Sequence, residues 1–150
     1  MIWLNYSDKD YMTAYESLKN LNDKTFIVQY GNETYEPVSA INRKIEETFQ
    51  IRETMESVGK HKLPDCIVAK NVFTLIVFDK DGKCNKDDLN KAIGFLKLMC
   101  DKYEVKNIVI PEASFGKDFN KGKVLNLYRK FFDKSKTRVF LTCSSKKRRK

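Results

Sequence analysis

The groups in this chain best suited to holding an anion are concentrated in Ile108-Val109-Ile110-Pro111-Glu112-Ala113-Ser114-Phe115-Gly116-Lys117-Asp118-Phe119. An apolar run ends at Pro111, a loop follows through Ser114-Phe115-Gly116, and an amphipathic segment begins just beyond Asp118. A strand that empties into a loop ahead of a helix leaves backbone N–H groups without intrahelical partners, facing the positive end of the helix dipole. The amides of Ser114, Phe115 and Gly116 are therefore candidate phosphate ligands. An ordinary β-to-α connection shows the same pattern, and open α/β sheets contain several of them.

Other catalytic chemistry is poorly supplied. His61 is the single histidine and lies in a polar, lysine-rich segment, so a Ser-His-Asp or Cys-His device would have to be built on it with no evident orienting group. Cys66, Cys84, Cys100 and Cys143 are widely spaced, form no C-x-x-C pair and read as reduced, packing thiols rather than a zinc site or a disulfide framework. Asp79-Lys80-Asp81-Gly82-Lys83 reads as a turn; it lacks the further acids and closing glutamate that surround calcium. No metal site and no cofactor motif is expected.

The elements that must position the central loop follow from periodicity. Strands are expected over residues 2–6, 26–30, 66–69, 72–78, 107–110 and 137–142, the third and fourth joined as a hairpin through Lys70-Asn71. Helices are expected over residues 9–21, from Pro37 in a first turn through an apolar face of Val38, Ile41, Ile45, Phe49 and Ile51 to residue 57, over 85–103 with Asn85 as N-cap, and over 120–133. The order β-α-β-α-β-β-α-β-α-β implies helices on both faces of one mixed, mostly parallel sheet, a three-layer α/β/α domain. Residues 26–30 and 107–110, apolar on both faces, should be its interior strands.

The chain has 150 residues, 41% of them apolar, which fits one globular domain over residues 1–143. Its formal charge is +9, and the five cations of Lys146-Lys147-Arg148-Arg149-Lys150 taken from this leave +4. Residues 144–150 read as a disordered basic tail, open to nucleic acid or to use as a nuclear address. No run is long enough to cross a bilayer and there is no signal-peptide pattern at the start, so no membrane partner and an intracellular, cytoplasmic setting are expected.

Three stretches, with the element order, resemble the macro domain, an ADP-ribose-binding α/β/α module. Met1-Ile2-Trp3-Leu4-Asn5-Tyr6-Ser7-Asp8 is similar to the family's opening strand and Gly-Asp pair, with Ser7 in place of the glycine. Ile27-Val28-Gln29-Tyr30-Gly31-Asn32 is similar to the strand that ends in asparagine, and Val105-Lys106-Asn107-Ile108-Val109-Ile110-Pro111 to the strand before the second phosphate loop, of which Gly116 matches one glycine. The resemblance implies that Asp8 accepts a hydrogen bond from the adenine amino group, that Asn32 orients the distal ribose or a water, that Gly116 admits phosphate close to the backbone, and that Asp118 acts on the distal ribose or polarises a nucleophile. Each has a plainer alternative: Asp8 and Asp118 as N-caps, Asn32 and Gly116 as turn residues.

Two departures bear on the ligand. Where the family has a glycine-rich first phosphate loop, this chain has Glu36-Pro37-Val38-Ser39-Ala40-Ile41, with a bulky valine and a proline that lacks an N–H. Glu112 would repel a diphosphate if it pointed inward. The implied function is binding of ADP-ribose or a related nucleotide derivative, with hydrolysis of an ADP-ribosyl or ADP-ribose 1″-phosphate bond as the reaction open to it. The alternatives are an interaction protein with a lost or remodelled pocket, and a nucleic-acid binder using Lys121, Lys123, Arg129, Lys130 and the tail.

Overall fold

The structure is a computed structural model that describes residues 1–112 and 120–143. Among the described residues six strands form one sheet: β1 (Ile2–Ser7), β2 (Thr25–Asn32), β3 (Asp65–Ala69), β4 (Val72–Phe78), β5 (Asn107–Pro111) and β6 (Arg138–Cys143). Their spatial order is β1-β6-β5-β2-β4-β3. All neighbours are parallel except β3, which pairs antiparallel with β4 through the Lys70-Asn71 connection. Lys70 takes φ 53° there. The mixed sheet is thus the one expected, with β2 and β5 at its centre.

The central strands are apolar on both faces because both faces are covered. All five residues of β5 are buried, as are Thr25 and residues 27–31 of β2. Val28, Tyr30, Phe73 and Leu75 face α4 (Lys86–Lys102) and α5 (Lys121–Phe132). Ile27, Val72, Ile76 and Val109 face α1 (Tyr11–Leu21), α2 (Ala40–Phe49) and α3 (Arg52–Ser57). In α4, Leu89, Ile93 and Leu96 recur every three or four residues and are buried; burying each stabilises the fold by roughly 2 kcal/mol. Asn85 caps this helix by accepting the Asp87 N–H, as its position suggested.

Two local expectations need correction. The apolar stretch from residue 38 to 57 is two helices, not one. Gln50 adopts the left-handed conformation (φ 51°, ψ 55°) and ends α2, which turns Ile51 into the core. Spacing explains the break: Ile45 and Phe49 share a face, but Ile51 lies off it and can be buried only if the chain turns. Pro37 precedes the first turn of α2 rather than joining it; Ser39 is the N-cap, its Oγ accepting the Asn42 N–H at 3.0 Å.

Candidate functional site

Five strands run parallel, so the connections leaving β1, β2, β4, β5 and β6 emerge along one edge of the sheet. Asp8 stands there immediately after β1, in a short 3-10 turn over Asp8–Asp10 that leads into α1. It does not cap α1, whose preceding residue is Asp10. Asp8 Oδ1 instead accepts the Glu112 N–H at 3.1 Å and the Thr142 hydroxyl. One carboxylate oxygen therefore ties the exit of β1 to the exits of β5 and β6.

Asn32 closes β2, where a bulge shifts its register against β4. Its Oδ1 accepts the Thr34 N–H at 3.2 Å and the Thr34 hydroxyl at 2.8 Å. This is the turn role weighed for it from sequence, and it fixes the rotamer of the side chain. Among the described residues its Nδ2 makes no hydrogen bond. Asn32 borders a cavity of ≈ 420 Å³ lined by Glu33, Glu36, Lys60 and Asp79, among others. Carboxylates that accept, with an amide that donates, suit a polyhydroxylated ligand such as a ribose.

Tyr35 supports the connection after β2. It adopts φ 60° and is buried, and its hydroxyl donates to the Gly59 carbonyl at 2.8 Å while accepting the His61 N–H at 3.1 Å. Below it, Asn42 Nδ2 donates to Gln29 Oε1 at 2.7 Å and to the Tyr30 carbonyl at 3.2 Å, and Gln29 Nε2 donates to Thr74 Oγ1 at 3.0 Å. This buried chain anchors the start of α2 to β2 and β4. Val38, the bulky residue where the family has a glycine-rich loop, is 50% exposed.

The fold is shared with known structures. The X-domain of IBV superposes with a TM-score of 0.65 at 18% identity, covering 97% of this chain and 90% of that one. The macrodomain of Thermus aquaticus DarG gives 0.63 at 10% identity, over 79% of this chain and 88% of that one. This chain has the macrodomain fold. An Oceanobacillus iheyensis macrodomain variant solved with ADPR gives 0.61 at 9% identity, over 83% and 79% of the two chains. At such identities the likeness is one of fold. No family model matches the sequence, and no curated protein matches it.

On this macrodomain scaffold the six residues expected to form a site divide into two groups. Asp8 and Asn32 stand at strand exits on the same edge of the sheet. Ser114, Phe115, Gly116 and Asp118 lie outside the described residues, as does the tail over residues 144–150. Glu112, flagged for its charge, is fully buried at the end of β5. Sequence reasoning missed Thr142, Thr34, Tyr35 and the Gln29–Asn42–Thr74 chain. Asn42 had one legible signal, since it lies three residues before Ile45 on the apolar face of α2.

His61 also has a partner that went unforeseen: its Nδ1 lies 2.7 Å from Asp65 Oδ2. Among the described residues no serine or cysteine hydrogen-bonds to the ring. Cys66 and Cys100 are buried thiols. Burial raises Cys66 well above the usual cysteine range and pushes Cys100 up to about 12, so both stay protonated and unreactive near neutrality. Among the described residues no three His, Cys, Asp or Glu side chains converge as a metal site, and no helix is long and apolar enough to cross a membrane.

Proposed function

We propose that this chain binds ADP-ribose, or a nucleotide derivative built like it, across the C-terminal ends of its parallel strands. The observation that carries the reading is the position of Asp8 and Asn32 at strand exits on one edge of a fold shared with a macrodomain solved with ADPR. In this reading Asp8 accepts from the adenine amino group. The Ser114, Phe115 and Gly116 amides take the diphosphate, and Asn32 Nδ2 donates to the distal ribose beside the carboxylate-lined cavity. The tie from Thr34 to Asn32 Oδ1 supports it, because it leaves the amide nitrogen as the group to meet the ligand.

Hydrolysis of an ADP-ribosyl or ADP-ribose 1″-phosphate bond would ask little more of the protein. Asn32 would hold the ribose or a water in line and Asp118 would polarise the nucleophile, so the rate would come from positioning. Calorimetry with ADP-ribose, ADP and a short RNA tests the reading, with Gly116→Val and Asn32→Ala as variants. Heat is expected with ADP-ribose and its loss in Gly116→Val, while Asn32→Ala lowers turnover more than affinity where turnover is seen. RNA binding with no ADP-ribose response would replace the reading with a nucleic-acid binder. No response to any of the three would leave an interaction protein that keeps the fold without the ligand.

A further inference from the structure

On the same edge of the sheet as the strand exits, a groove of ≈ 490 Å³ opens between the first turns of α4 and α5. Its wall is apolar, formed by Leu89, Val124 and Leu127, and its rim carries Lys86 and Lys123. The two lysines approach from different helices. Lys86 touches and repels the Lys123 ammonium, which holds Lys123 below the usual lysine range. Among the described residues neither lysine is in an ion pair. Asp87 also borders the groove, leaving a local excess of one positive charge. Like charges held together on two elements favour a shared anion between them. The helix termini themselves are already served, α4 by Asn85 and α5 by Asn120, so the anion preference lies with the lysines.

A second feature is Asn90, which lines the same groove. Asn90 Oδ1 is buried and, among the described residues, has no hydrogen-bond partner. An acceptor left this way costs about 1–3 kcal/mol, which a donor arriving on a ligand would recover. A ligand that satisfies the whole groove has an anionic end, an apolar or planar body and an N–H donor. An amino-substituted nucleobase supplies the plane and the donor, asparagine being a common partner of the adenine edge, and a phosphate supplies the anion.

We propose that the α4–α5 groove is a second site, taking a mononucleotide with its phosphate between Lys86 and Lys123 and its base against Leu89, Val124 and Leu127, the exocyclic amine donating to Asn90. The proposal does not depend on ADP-ribose binding at the strand ends.

The test is calorimetry with AMP, IMP and adenosine on the full chain, with amide NMR to locate the binding. AMP is expected to bind at least tenfold tighter than adenosine, which lacks the phosphate, and several-fold tighter than IMP, which lacks the amine. Its shift changes should cluster at residues 86–90 and 123–127. The double variant K86A/K123A, at exposed positions, should lose AMP affinity tenfold or more with an unchanged melting temperature and unchanged ADP-ribose affinity. AMP binding that survives the double variant, shift changes confined to residues 8 and 32–34, or no discrimination between AMP and adenosine would each overturn the proposal. An oligonucleotide that needs both lysines while AMP does not bind would assign the groove to a nucleic-acid strand and overturn the small-molecule site.

Discussion

Replacing Asp8 separates its strand-end tie from its proposed contact to adenine, because its hydrogen bonds and its charge can be removed independently. In Asp8→Ala the Glu112 N–H and the Thr142 hydroxyl lose their shared acceptor, and both residues are fully buried. Hydrogen bonds to a charged group contribute about 1.5–3 kcal/mol each; water admitted at the partly exposed Asp8 offsets part of this, leaving about 3 kcal/mol for the pair. For a domain of this size each kcal/mol moves the melting temperature by about 2–4 °C, so Asp8→Ala should melt about 6–12 °C lower. Asp8→Asn keeps an oxygen for both donors. Neutral acceptors bond about half as strongly, so the cost falls to about 1.5 kcal/mol, or about 3–6 °C. The amide nitrogen of Asp8→Asn would oppose the adenine amino group, donor against donor, and should lower ADP-ribose affinity at least tenfold, about 1.4 kcal/mol. Scanning calorimetry and titration calorimetry read the two effects separately. Equal melting temperatures for Asp8→Ala and wild type would refute the strand-end tie. Wild-type ADP-ribose affinity in Asp8→Asn would show that Asp8 serves the fold alone.

Three further outcomes are expected. Burial raises Cys66, Cys100, Tyr30 and Tyr128 above their unfolded values, so in the native state they keep protons that the unfolded chain releases. For Cys100 the stability is fully present below its unfolded value of 9.0 and is lost as pH rises toward about 12, at about 1.4 kcal/mol per pH unit, and urea melts across that window in wild type and Cys100→Ala measure it. Asn42→Ala removes the donor to Gln29 and Tyr30 and should destabilise by about 2 kcal/mol while weakening ADP-ribose binding; an unchanged urea midpoint would show that the buried chain is dispensable. Deleting residues 146–150 should lower the slope of log K against log salt for a short RNA by several units, and an identical slope would rule the tail out as the contact.

What the sequence made legible was set by the range of each interaction. The strands β2 and β5 announce themselves as short runs apolar at successive positions, because burial on both faces demands nothing else of neighbouring elements. The turn at Asn32 was legible for a related reason, since its partner Thr34 is two residues away. Asp8 was harder. A carboxylate after a strand and before a helix looks like a cap from local sequence, but its partners are Glu112 and Thr142, each more than a hundred residues distant. Tyr35, placed in a loop by the polar residues around it, is buried only because Gly59 and His61 come to meet its hydroxyl.

The missing glycines of the first phosphate loop look different beside these long-range contacts. Glycine admits a phosphate because it permits unusual backbone angles and leaves room near the amides. Here Tyr35 itself takes a positive φ, at the cost of about 1–2 kcal/mol for a residue with a side chain, and its partly buried hydroxyl holds the backbone in that state with two hydrogen bonds. Asn42, Gln29 and Thr74 then fix the first turn of α2 to the sheet. A glycine loop is shaped around its ligand; this connection is shaped by the protein, so its geometry is set before anything binds. If ADP-ribose binds as proposed, that trades adaptability for a lower ordering cost, which would favour a narrower choice of ligand over a weaker grip on all of them.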